Sequence, residues 1–92
     1  MYIRTIYESN PVARKVYTCD ACLFVMDALG CVPFEIADMR KIVLARRDGW
    51  QIKPGVRYIR QFNTDGAEQW TFRAIPAMHE ICLEYELYPN WR

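Results

Sequence analysis

Lys15-Val-Tyr-Thr-Cys19-Asp-Ala-Cys22, answered far down the chain by His79-Glu-Ile-Cys82, is the pair of stretches around which the rest of this sequence is read. A short β-like lead-in followed by Cys-x-x-Cys opens many small zinc sites. Two close pairs of thiolate and imidazole ligands, brought from opposite ends of a chain, can complete a tetrahedron. The candidate metal set is therefore Cys19, Cys22, His79 and Cys82, with Cys31 able to stand in for His79. The same residues admit two other readings. They can be ordinary buried thiols, which behave as small hydrophobes, or a redox dithiol, although no βαβ pattern surrounds Cys19 and Leu23 begins an apolar run.

The remaining material reads as one compact domain over residues 1–92, with 52% apolar residues to build a core. A chain this short has little stability to spare, so a metal or a partner surface would help it. A net charge of +1 excludes an acidic DNA mimic and the strong basicity of a non-specific nucleic-acid binder. The N-terminal stretch has no signal-peptide layout, and the longest apolar run, Ala21 to Phe34, is broken by Asp27, Gly30 and Pro33. No membrane span is expected, and the expected compartment is the cytoplasm.

Residues 2–7 and 15–18 are rich in β-formers, while Leu23 to Leu29 can be a helix turn or a buried strand. The clearest helix spans about 34–47. Pro33 suits its start, Glu35 and Asp38 its positive end, Lys41, Arg46 and Arg47 its negative end, and Asp48-Gly49 its stop. Phe34, Ala37, Ile42, Val43 and Ala45 form its apolar stripe. Asn63-Thr-Asp-Gly66 between 56–62 and 68–75 is a strong hairpin signal. With Thr64-Asp65-Gly66 as the loop, Tyr58 faces Phe72, Arg60 faces Trp70, and Arg57 opposes Arg73, a pair that repels unless an anion lies between them. After a short turn or helix at 76–80, the alternation of Ile81, Leu83, Tyr85 and Leu87 predicts a strand over 81–88. The expected fold is α+β: a small antiparallel sheet from 2–7, 56–62, 68–75 and 81–88, with the 34–47 helix packed on one face.

The run Ala13-Arg-Lys-Val-Tyr-Thr-Cys19-Asp-Ala-Cys22, then Ile52-Lys-Pro-Gly55-Val-Arg-Tyr58-Ile-Arg60, then His79-Glu-Ile-Cys82 resembles small phage and bacterial zinc proteins of the treble-clef kind. Those carry a CDxC knuckle, an I-x-x-G-x-x-Y-x-R hairpin entry and an H-x-x-C closure. The resemblance covers both ends of the chain and the hairpin. It implies a zinc-stapled module of phage-like origin more than an activity, with zinc held by Cys19, Cys22, His79 and Cys82. Two departures are visible: Leu23 stands where a Gly usually follows the knuckle, and the 34–47 helix is inserted between knuckle and hairpin.

A catalytic constellation is not expected. The chain has one histidine, and no phosphate-binding Gly-rich loop, nucleophile elbow or His-Glu-x-x-His is present. The basic residues carry the functional expectation. Arg40, Lys41, Arg46 and Arg47 on the helix, with Arg57, Arg60, Trp70 and Arg73 on the hairpin, make a candidate partner-binding face able to grip phosphates and stack on rings. In being small, single-domain and without catalytic residues, the chain is similar in type to the anti-CRISPR proteins. That likeness implies a host protein or ribonucleoprotein complex as partner, CRISPR effector subunits above all, and steric blockage of target-strand pairing. The alternatives are a zinc-stapled nucleic-acid-binding module, such as a phage transcription regulator, and a small metal-dependent enzyme. The near-neutral charge favours the protein partner.

Overall fold

The computed structural model describes residues 3–89 and shows an α+β fold with a three-stranded antiparallel sheet. In chain order the elements are β1 (Arg4–Ser9), β2 (Tyr17–Thr18), α1 (Asp20–Ala28), α2 (Ile36–Arg47), β3 (Gln51–Ile52), β4 (Ile59–Thr64), β5 (Gln69–Ala74) and α3 (Pro76–Glu84). The main sheet runs β1-β4-β5, and β2 pairs with β3 in a separate two-stranded ladder. Among the described residues no helix is long and apolar enough to cross a membrane.

The ambiguous piece after Cys22 is helical. Ala21, Cys22, Val25 and Ala28 are its buried residues, the i, i+1, i+4, i+7 spacing of one helix face. Asp20 in the first turn meets the positive end of the helix dipole, and Gly30, at φ 93°, turns the chain out after the last turn. The 34–47 helix is present as α2, but it lies against α3, while α1 packs on β5.

The strand expected over 81–88 does not form: residues 81–84 are the last turn of α3, which has Pro76 in its first turn, and 85–88 leave it as an irregular turn with Glu86 at φ 54°. Alternation is overridden because burial follows the helical period: Met78, His79, Ile81 and Cys82 face inward, while Leu83 is 55% exposed. The β-like character at 56–58 also has a different partner. Val56 O accepts from Ala13 N, Tyr58 N donates to Pro11 O, and Val12 bridges Arg57, so this stretch pairs with residues 11–13 before β4 begins.

The hairpin register differs from the expected one. Thr64 pairs with Gln69, which leaves Asp65 to Glu68 as a four-residue loop. Asp65 decides its length: its carboxylate accepts from Ala67 N at 2.9 Å and Glu68 N at 2.8 Å, while Gly66 takes φ 96°. Arg60 therefore faces Arg73 rather than Trp70, Gln61 faces Phe72 and Asn63 faces Trp70. Arg57 does not oppose Arg73, because it lies before β4.

The core gathers Val25 of α1, Ile42 of α2, Ile52 of β3, Phe72 of β5 and Met78 and Ile81 of α3. Phe72 sits edge-on to Tyr88 at 5.7 Å between ring centroids and 5.8 Å from His79. Truncating it leaves a cavity where sheet and α3 meet. Phe72→Ala should lower the unfolding free energy by about 3 kcal/mol. Urea denaturation measures this, and a loss below about 1 kcal/mol would mean that the site collapses and fills.

Candidate functional site

Among the described residues three separate places can carry chemistry or recognition: the buried thiol cluster, the outer face of the sheet, and the outer face of α2.

Cys19 is the N-cap of α1, at the point where α1, the segment after α2 and the β5–α3 junction meet. Its N–H donates to Trp50 O at 3.3 Å, and its Sγ accepts from Ile75 N at 3.2 Å. The Cys22 thiol, three residues on in the first turn, hydrogen-bonds Cys19, which pulls the Cys19 thiol below its ordinary pKa and pushes that of Cys22 up. Burial opposes the first shift and reinforces the second. The backbone N–H groups of Ile75, Cys22 and Ala21 add to the stabilisation of a Cys19 thiolate. Cys82 donates to Ala21 O at 3.4 Å, and its thiol is pushed up to about 11 by burial, with the Tyr88 hydroxyl pulling the other way.

The fourth expected ligand is engaged elsewhere. His79 Nδ1 lies 2.8 Å from the Tyr88 hydroxyl, and Nε2 lies 3.5 Å from Gln61 Nε2. Cys31 is exposed, while Cys19, Cys22 and Cys82 are buried. Among the described residues no group of three or more His, Cys, Asp or Glu side chains is placed to hold a metal ion.

The basic residues expected to form one face are spread over different places. Arg40, Lys41, Arg46 and Arg47 are exposed on α2, with Lys41 4.0 Å from Asp38. Arg57 is exposed and its Nη1 donates to Asn10 O at 2.6 Å, so it tethers the loop before β2. Trp70 lies on the inner side of the hairpin beside Phe72, in a hollow that Leu23 and Phe24 also line. Arg60 and Arg73 do come together, directly opposite each other on β4 and β5. The aromatic neighbours on that outer face are Tyr7 and Phe62, which are register partners on β1 and β4, rather than Tyr58 or Phe72, which are buried. Reading these from sequence requires the length of the Asp65 loop, which depends on that residue's side-chain hydrogen bonds.

The outer face of α2 was the least foreseeable. Its buried residues are Asp38, Ile42 and Ala45. Val43, expected in the core stripe, is 56% exposed, and Ile36 and Leu44 are 75% and 52% exposed. The inner face is anchored by a polar latch: Tyr85 Oη donates to Asp38 Oδ2 at 2.7 Å and accepts from Glu35 N at 3.0 Å. That latch turns the apolar residues Ile36, Met39, Val43 and Leu44 to the outside. They line one hollow together with Arg40.

Comparison of the chain with protein-family models, with curated proteins and with solved structures finds no match.

Two measurements check the cluster. A thiol reagent should modify Cys31 alone in the folded protein and all four cysteines after unfolding; rapid reaction in a folded Cys31→Ser variant would place a second thiol at the surface. His79 is held below its ordinary pKa of 6.5 by burial, with Glu8 and Glu80 only partly offsetting it. A depressed histidine leaves the unfolded chain to bind the proton first, so its contribution is whole above that value and falls as pH drops through and below it. The wild-type protein should therefore lose thermal stability more steeply than His79→Gln between about pH 7 and pH 5. Equal slopes would show that His79 titrates as it does in the unfolded chain.

Proposed function

We propose that this chain is a non-catalytic interaction protein that docks on a protein partner through the outer face of α2. The observation that carries the reading is the second apolar stripe of that helix: Ile36, Met39, Val43 and Leu44 recur at i, i+3, i+7 and i+8 and stand exposed. A helix facing only water would have no reason to carry it, and contiguous apolar surface rimmed by polar groups marks interaction sites.

The rim indicates what sort of partner fits. Arg40 lines the same hollow, and Lys41, Arg46 and Arg47 are exposed on the same helix. The matching surface is an apolar groove bordered by carboxylates, which takes the helix as a ridge. A second copy of this chain fits poorly, since a two-fold contact would bring these cations of both copies together.

The sharper form of the proposal rests on the likeness in type to anti-CRISPR proteins. The partner is then a protein subunit of a host CRISPR effector, and docking blocks target-strand pairing by occupying space. Purified effector complexes of several types, tested by co-elution and by interference assays, address this form. Binding by at least one complex is expected, together with loss of interference when the protein is expressed. No binding to any of them removes the sharper form.

The docking face has its own test. Val43→Asp combined with Leu44→Asp should abolish co-elution with a complex that the wild-type chain binds, while circular dichroism stays unchanged. Retained binding by the folded double variant would overturn the assignment to α2. A concentration-dependent dimer in analytical ultracentrifugation, lost in the same variant, would replace the partner by a second copy.

A further inference from the structure

The outer face of the main sheet presents Tyr7 from β1, Arg60 and Phe62 from β4, and Thr71 and Arg73 from β5 around a hollow of about 260 Å³. It shares no residue with the α2 face, so its function is independent of the one assigned to α2. We propose that this sheet face binds a short single-stranded nucleic-acid segment, with a phosphate between Arg60 and Arg73 and bases stacked on Tyr7 and Phe62.

The arginine pair is the first observation. Arg60 and Arg73 are direct cross-strand partners, and like charges so placed repel unless an anion lies between them. Among the described residues the one ion pair within 4.0 Å is Lys41 with Asp38; the Asp20 carboxylate acts on Arg73 through its charge without closing to that distance, and it lies beside Arg73 rather than between the two arginines. The Nε of Arg73 is buried and has no hydrogen-bond partner, a donor without an acceptor. Cβ atoms on directly opposed residues stand about 5 Å apart, a spacing at which two guanidinium groups can share the oxygens of one phosphate.

The surroundings narrow the anion. Arg73 lies 4.5 Å over the centroid of Tyr17, which holds its plane, and Lys15 lies 5.5 Å from the same ring. Both belong to a second hollow of about 530 Å³ that shares Thr71 and Arg73 with the first. The two hollows thus carry three cations, Lys15, Arg60 and Arg73, along one path. Asp20 is the carboxylate on that path, and its Oδ2 accepts from the backbone N–H of Arg73 at 3.0 Å. A chain of phosphates suits such a path better than an isolated anion does.

The rings indicate what accompanies the phosphate. Tyr7 and Phe62 pair across β1 and β4, two residues along from the Ser9–Arg60 pair and so on the same face, and Tyr7 is exposed. Base faces stack on such side chains whatever the base, and sheets carrying outward aromatics and arginines are a recurrent solution for single strands. No base-edge code is built here, so the site should be tolerant of sequence. The near-neutral net charge is no obstacle, because the positive groups are concentrated on the path.

Fluorescence anisotropy with labelled oligo(U) and oligo(dT) of about eight nucleotides tests the proposal. Binding is expected at low salt, with a log–log salt slope of about −2, the value for three phosphate contacts on a single strand. Arg60→Gln with Arg73→Gln should weaken it about a hundredfold, roughly tenfold for each charged contact. Arg60→Gln with Tyr7→Ala leaves the Arg73–Tyr17 packing intact and should weaken binding similarly. Arg46→Gln with Arg47→Gln should change it less than about twofold. Equal affinity for the two oligomers points to a phosphate and base platform, and a preference for oligo(U) adds a 2′-hydroxyl contact; both sustain the proposal. It is overturned by absence of binding to both oligomers, by folded sheet variants that bind as well as wild type, by an equal loss in the α2 variant, or by a site that pyrophosphate fills as tightly as the oligomers.

Discussion

The backbone of Cys19 and its sulfur join parts of the chain that are distant in sequence. Its N–H bonds to Trp50 just after α2, and its Sγ accepts from Ile75 just before α3. Trp50 holds its side of this contact in a left-handed conformation, φ 60°, unusual for a residue with a Cβ. Cys22 adds its own hydrogen bond from within α1. An element that satisfies buried donors and acceptors from several segments at once ties them together without needing a large core. For a chain of 92 residues that economy matters.

The two candidate surfaces depend on that joint. Because α1 lies against β5 and α3, the opposite side of the main sheet is left for Tyr7, Arg60, Phe62, Thr71 and Arg73. Because α2 is held through α3 and the Tyr85–Asp38 latch, its other side is left for Ile36, Met39, Val43 and Leu44. Neither surface is built by the cysteines, yet each is positioned by the elements they connect. The most sequence-distinctive residues are thus architectural, and the candidate recognition residues are commonplace ones in particular places.

What could be read from the sequence was what short-range chemistry controls. Pro33 and the charge gradient along 34–47 predicted α2, and Asp65-Gly66 predicted the hairpin. The α+β class came from these. The hairpin register was not legible, since it depends on two hydrogen bonds to the Asp65 carboxylate that set the loop at four residues. Residues 81–88 satisfied a period of two by composition, and tertiary burial of Ile81 and Cys82 chose the helix. For α2, the expected stripe put Ala37 and Val43 on the inner face, whereas both are exposed, because the face that turns inward is fixed by Ile42, Ala45 and the Tyr85 latch, 47 residues away from Asp38. Arg60 and Arg73 were singled out as basic residues, whereas their being opposite one another emerged only with the register.

A three-stranded sheet has two edges, and β1 is one of them. The register of β1 against β4 shifts between Thr5 and Tyr7, so Ile6 is an extra residue and the strand kinks there. A regular edge offers an unbroken row of amide donors and acceptors onto which a foreign strand can zip; a bulged one does not. Arg4 and Glu8 place charges on either side of the kink, and Pro11 comes shortly after the strand ends. The irregularity therefore acts as a guard against polymerisation. A straight β1 would set an open pairing template beside the exposed ridge of α2 and the arginine-bearing sheet face, and the bulge withholds it.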